Sequence, residues 1–303
     1  MNTQQQVEKK WALASIPLQD AYTDFLLSRQ AMMCTSRTML FYEFTLGKIS
    51  DWLERNDVHQ PQAITSRHVR ALLGEMVEKG LSDSYIHSFA RVIRTFIRFL
   101  LKEKYIYEPV EFEMPKIGKK RLLVYTKEEV QKILKASIDK RDKAFILLMV
   151  DSGLRKAEVI SLNWGDVDIS SGIVRVEKGK GRKARSVVIG VHTRRALLRY
   201  KNEVDSNDAK PLFQTKSGGR FTSSGIRSWT LRISGRANIH ISPHALRRTF
   251  ATLSLRAGMN VIQLQGLLGH STLEMTRHYI EILDEDLVKA HEEHGPIDKF
   301  IFE

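Results

Sequence analysis

Four short segments of this chain hold residue types that can act on an anion. In Ser242-Pro243-His244-Ala245-Leu246-Arg247-Arg248, a serine N-cap and a proline at the first helical position predict a helix ended by Gly258. At about 100° per residue, Leu246, Phe250, Leu253 and Ala257 share one stripe. His244 and Arg247, three residues apart, share another face near the positive end of the helix. An imidazole beside a guanidinium there suits an oxyanion or phosphate, although the heptapeptide alone reads more simply as a surface histidine among solvated arginines. In Gly153-Leu154-Arg155-Lys156-Ala157-Glu158, Gly153 stops an apolar helix (Ala144 to Val150), and Arg155 and Glu158 stand three apart. Glu158 can orient Arg155 and leave its other N–H groups for a ligand; the plainer reading is an exposed ion pair worth little. The loop Lys178–Arg185 packs five cations and two glycines into eight residues. It lacks the spacing of a Walker loop, and a flexible lysine on it can enter a groove or deliver a proton. Gly269 ends a further helix, and Ser271-x-x-Glu274 is a capping box opening the one that carries Tyr279, nine residues after His270. A single tyrosine is ordinarily core or rim.

The elements around these segments divide the chain. Residues 16–105 read as helices only, four or five short ones. Leu40, Phe44, Ile49 and Leu53 are expected inward on one, and Val69, Leu72, Leu73, Met76 and Val77 on the next. Ser82 or Ser84 caps a helix through Ile86, Phe89, Ile93, Phe96, Ile97 and Leu100, on which Arg91, Arg94 and Arg98 form a basic stripe. Residues 106–124 lack helical periodicity, hold two prolines and the run Lys119-Lys120-Arg121, and read as a basic linker. A second domain, 125–303, opens with the capping box Thr126-x-x-Glu129. Its β-rich runs Ile173–Val176 and Ser186–Ile189 flank the basic loop as a hairpin, and helices follow. The fold expected is mainly α with a small antiparallel sheet in the C-terminal domain.

The chain has 303 residues and a formal net charge of +13. Residues 1–124 carry 18 basic and 14 acidic side chains, and residues 125–303 carry 30 and 21, so both parts are basic. A polyanion, most simply nucleic acid, is the default partner. The single cysteine, Cys34, excludes an internal disulfide and multi-cysteine metal sites. No apolar run reaches the length of a membrane span, and MNTQQQVEKK lacks a signal-peptide profile. The expectation is a soluble, cytoplasmic protein without a membrane role. There is also no tight Asp/Glu cluster of the kind a two-metal nuclease needs.

Taken in order, SGLRKAE, GKGRKAR, HALRRTFAT and LLGHSTLEMTRHY resemble the motifs of the tyrosine recombinase (phage integrase) family, closest to its Xer-like and transposon-borne members. The resemblance implies a two-domain clamp on double-stranded DNA, with residues 16–105 as the core-binding domain. It implies that Arg155, Lys180, His244, Arg247 and His270 surround one phosphate and that Tyr279 attacks it, with Glu158 in support. Lys178 and Lys183 are fallbacks for Lys180. Arg91, Arg94, Arg98, Lys119, Lys120, Arg121, Lys178, Arg182 and Lys183 are the expected DNA contacts. No metal or cofactor is implied. Partners would be inverted-repeat core sites, a homotetramer on synapsed DNA joined by exchange of the C-terminal tail, and accessory proteins. Ser152 stands where the family often has threonine, an exposed helix-end hydroxyl by expectation. Two competing readings are a type IB topoisomerase-like strand relaxation and a catalytically silent DNA-binding relative.

Overall fold

The computed structural model describes residues 16–118, 122–176 and 184–269. The chain divides into two compact units, Met1–Lys120 and Arg121–Glu303.

The first unit contains α1 (Leu18–Ala31), α2 (Ser36–Glu54), α3 (Ser66–Glu78) and α4 (Asp83–Lys102). Thr35 and Thr65 cap α2 and α3 with their side chains, and Gly80 follows α3 in the left-handed conformation. The core is aromatic: Phe25 meets Tyr42, Phe96 and Phe99 edge-on at 5.2–5.4 Å. Ile49 and Leu53 are buried as expected, but Leu40 and Phe44 are exposed. The reason is rotational. Each pair is four residues apart, but Phe44 and Ile49 are five apart, about 140° around the helix, so the pairs occupy different faces. Val77, also expected inward, is exposed at the end of α3. After α4 the chain runs without helix or strand, and Ile106, Val110, Phe112 and Met114 lie against the same core.

The second unit begins at α5 (Lys127–Ala136), where Thr126 and Glu129 form the reciprocal capping box. Tyr125, 1% exposed, donates its hydroxyl to the His240 carbonyl and accepts from the Ser242 amide. The chain entering this unit is thereby pinned to the start of a later helix. α6 (Lys140–Ser152) carries Ala144, Phe145, Ile146, Leu148 and Met149 buried on several faces, the pattern of a central helix. Ser152 is buried, not exposed: its hydroxyl donates to Leu148 O at 2.6 Å, satisfied within its own helix. α7 (Lys156–Ser161) leads to an antiparallel sheet in the order β1 (Val167–Asp168), β2 (Ile173–Val176), β3 (Arg185–Val188). Val174 faces Val187, and Val176 faces Arg185. α8 (Val191–Lys201), α9 (Ser223–Ala237), α10 (Pro243–Arg256) and α11 (Val261–Leu268) complete the described residues. The fold is mainly helical with one small antiparallel sheet. Among the described residues no helix is long and apolar enough to cross a membrane, and no group of His, Cys, Asp or Glu could hold a metal ion.

Candidate active site

Two helix boundaries bring the basic residues together. α6 ends at Gly153 in the left-handed conformation, φ 61°, and buried Leu154 turns the chain so that Arg155 caps α7. α10 starts at the Ser242 cap, with Pro243 at its first position. His244 therefore lies in its first turn, exposed, and Arg247 one turn in, 4% exposed.

Glu158 is the hub. Its Oε2 accepts from the Arg155 amide at 2.8 Å and its Oε1 from Arg155 Nη1 at 3.0 Å. Arg185 grips both carboxylate oxygens, Nη1 to Oε1 at 3.0 Å and Nη2 to Oε2 at 2.9 Å. Arg247 Nη1 lies 4.0 Å from Oε2. The same three guanidiniums take successive carbonyls at the end of α11: Arg185 Nε donates to Leu267 O, Arg247 Nη2 to Leu268 O and Arg155 Nη2 to Gly269 O. A helix C-terminus carries partial negative charge, so this end favours cations. Arg247 Nη1 also donates to Gly153 O at 2.6 Å, tying the end of α6 to α10.

Charge governs the two titratable groups. Burial opposes ionisation of Glu158, but hydrogen bonds from Arg185 and the Arg155 amide, with the Arg185 charge, outweigh it and hold the carboxyl at about 2. His244 is shifted downward. Partial desolvation of this exposed residue lowers it first, and the charges of Arg248, Arg247, Lys156 and Arg155 add to that. The result is an imidazole that favours its neutral form, beside a positively charged cluster at the N-terminus of α10. Among the described residues, three guanidiniums against one carboxylate leave two net positive charges, a setting for a phosphate and for a proton acceptor.

Of the residues singled out in the sequence, Arg155 and Glu158 meet directly, Arg247 stands 4.0 Å from Glu158, and His244 lies in the field of the arginines. Lys178, Lys180, Arg182, Lys183, His270 and Tyr279, the run Lys119-Lys120-Arg121 and the C-terminal tail lie outside the described residues. Arg185 was missed as a site residue, counted only as the last cation of a loop. Strand alternation carries the signal: Arg185 is in phase with buried Val187 and Ile189, so it points inward. On the first unit, Arg91, Arg94 and Arg98 line an open groove of about 750 Å³ with Arg37, His87 and Phe41. Arg94 also donates to Phe112 O at 3.2 Å and lies over the Phe112 ring, whereas Arg91 and Arg98 are exposed.

Comparison with known proteins places the chain. The model of the phage integrase family matches residues 124–286, more than half of the sequence. A tyrosine recombinase XerC of Histophilus somni is 32% identical over 294 residues, covering 93% of this chain and 97% of that protein. A tyrosine recombinase XerC of Oceanobacillus iheyensis is 30% identical over 275 residues, covering 86% and 90%. In fold, the chain is similar to the Tn1549 transposon integrase solved in complex with circular intermediate DNA, with a TM-score of 0.75 at 20% identity, covering 88% and 95%. The chain belongs to the phage integrase family and is a tyrosine recombinase.

Proposed function

We propose that this protein is a site-specific recombinase that cuts and rejoins double-stranded DNA through a 3′-phosphotyrosyl bond to Tyr279. The observation that carries the reading is the cluster of Arg155 and Arg247 around Glu158, with His244, its pKa lowered, in the first turn of the helix that carries Arg247. A phosphodiester in its transition state spreads negative charge over its non-bridging oxygens, and forked guanidiniums suit it. Tyr279 Oη attacks phosphorus and its proton passes to His244, the nearby base whose lowered pKa keeps it neutral. The bond from phosphorus to O5′ breaks, and Lys180 protonates the leaving oxygen; Lys178 and Lys183 are the alternatives on the same loop. His270 donates to the phosphate. The products are a phosphotyrosyl ester and a free 5′-hydroxyl, so a second 5′-hydroxyl reverses the step without an external energy source. Arg155, Lys180, His244, Arg247, His270 and Tyr279 are the catalytic set, with Glu158 supporting.

The groove with Arg91, Arg94 and Arg98 supports a backbone contact from the first unit, and Lys119, Lys120, Arg121, Arg182 and Lys183 extend the basic surface by sequence. The substrate would be an inverted-repeat core site bound by a homotetramer joined through its C-terminal tails, with accessory proteins. The biological role falls among integration and excision of a mobile element and resolution of replicon dimers. The test uses nicked duplexes tiled across the DNA flanking the gene, without added metal. An SDS-resistant adduct on one duplex that Tyr279→Phe abolishes while still binding DNA is expected. An adduct that persists in the variant would assign the wrong nucleophile.

A further inference from the structure

The positioning of the arginine cluster depends on a side chain outside the catalytic set, and this inference rests on the function proposed above. We infer that Arg185 is a positioning residue: by occupying both oxygens of Glu158 and the Leu267 carbonyl, it lets Glu158 orient Arg155 without cancelling the charge that Arg155 and Arg247 present to a phosphate.

Three features support this. The Arg185–Glu158 contact is a two-point fork at 2.9 and 3.0 Å, whereas Arg155 makes one side-chain bond to Glu158 and Arg247 stands 4.0 Å away. Among the described residues Arg185 is thus the main counter-charge of Glu158, and its side chain is only 13% exposed, placed to act through its neighbours. The site is also shaped around it. A Cβ on Gly269 would lie 3.0 Å from Arg185 Nη1 and 3.1 Å from Cζ, so the glycine at the end of α11 gives the guanidinium room to lie against the backbone. Finally, Arg185 opens β3, five residues after Lys180, and its bond to Leu267 O ties the hairpin to α11. Among the described residues, charged groups reach Glu158 from three elements: Arg155 at the start of α7, Arg185 on β3 and Arg247 on α10.

Charge arithmetic gives the test. Among the described residues, the three guanidiniums and one carboxylate carry two net positive charges, and Arg185→Met leaves one. Combining it with Glu158→Gln restores two. On the nicked duplex that gives the wild-type adduct, we expect Arg185→Met to slow adduct formation at saturating DNA by roughly 10–100-fold, by analogy with the loss of a partner that orients a metal ligand. DNA affinity should change less than the rate, because the mostly covered side chain is engaged by Glu158 and Leu267 O. Arg185→Lys, which keeps the charge without the fork, should fall between the two. The double variant Arg185→Met/Glu158→Gln should regain several-fold over Arg185→Met alone. Wild-type rates in Arg185→Met, a rate loss matched by an equal loss of affinity, or no recovery in the double variant would each overturn the inference. If Arg185→Met does not fold, Arg185→Lys decides it: a wild-type rate at saturating DNA overturns the inference, and a slowed rate with retained affinity supports it. Failure of the wild type to form an adduct on any duplex would instead defeat the functional reading beneath it, and this is seen before any substitution is made.

Discussion

Replacing Gly153 by alanine tests the corner on which the site is hung. Gly153 has φ 61° where α6 ends, and a Cβ there would lie 2.2 and 2.6 Å from two ring carbons of Phe250 and 3.0 Å from a Leu268 methyl. Phe250 belongs to the small apolar cluster with Ala251, Leu264 and Leu268, so the ring has little room to retreat. An L-residue in the left-handed region costs about 1–2 kcal/mol. Forcing an extra methyl into a packed site costs about 1–3 kcal/mol more. Together these predict a loss of about 2–5 kcal/mol, which lowers Tm by about 4–20 °C in a unit of this size. Because Gly153 O accepts from Arg247, adduct formation should fall as well. Thermal and urea melts should be run beside Gly235→Ala in the same unit, where a Cβ meets nothing within 4 Å. That control sits inside α9 and should gain about 0.5–1 kcal/mol. A Gly153→Ala protein melting within about 2 °C of wild type would refute the steric reasoning.

Other outcomes follow from the electrostatics. Lowering the Glu158 carboxyl from 4.5 to about 2 contributes roughly 3 kcal/mol of stability, present above 4.5 and lost as pH falls toward 2. Urea titrations at pH 7 and pH 3 should therefore differ less in Glu158→Gln than in wild type; an equal difference would count against the hub. The lowered pKa of His244 places the acid limb of adduct formation, measured at subsaturating DNA, below pH 6.5, because a base loses activity as it protonates. An acid limb at 6.5 or above would remove His244 from that role. Arg91→Ala and Arg98→Ala should each reduce the slope of log affinity against log salt by about one while leaving sequence preference intact. An unchanged slope would take the groove off the DNA path.

Local rules made much of this protein legible in its sequence. The Thr126–Glu129 capping box, the Ser242-Pro243 helix start and the left-handed glycines Gly153 and Gly269 each depend on a few adjacent residues, and each forms where the residue types place it. Arg155 and Glu158 also meet as their spacing of three predicts. Contacts across elements were not legible. Leu40 and Phe44 matched the periodicity of α2 as well as Ile49 and Leu53 did, and only the packing of the bundle decided which face it covers. Arg94 matched the spacing of a solvent-facing stripe, yet the returning chain put Phe112 over it, 18 residues on. Arg185 stands 27 residues from Glu158 and 82 from Leu267, and such distances are set by sheet register and helix placement, which no local pattern encodes. The sequence determined which residues could bear charge and where helices begin and end. The tertiary structure alone decided that three arginines from α7, β3 and α10 converge on one carboxylate, because that depends on burying a common core between elements far apart in the chain.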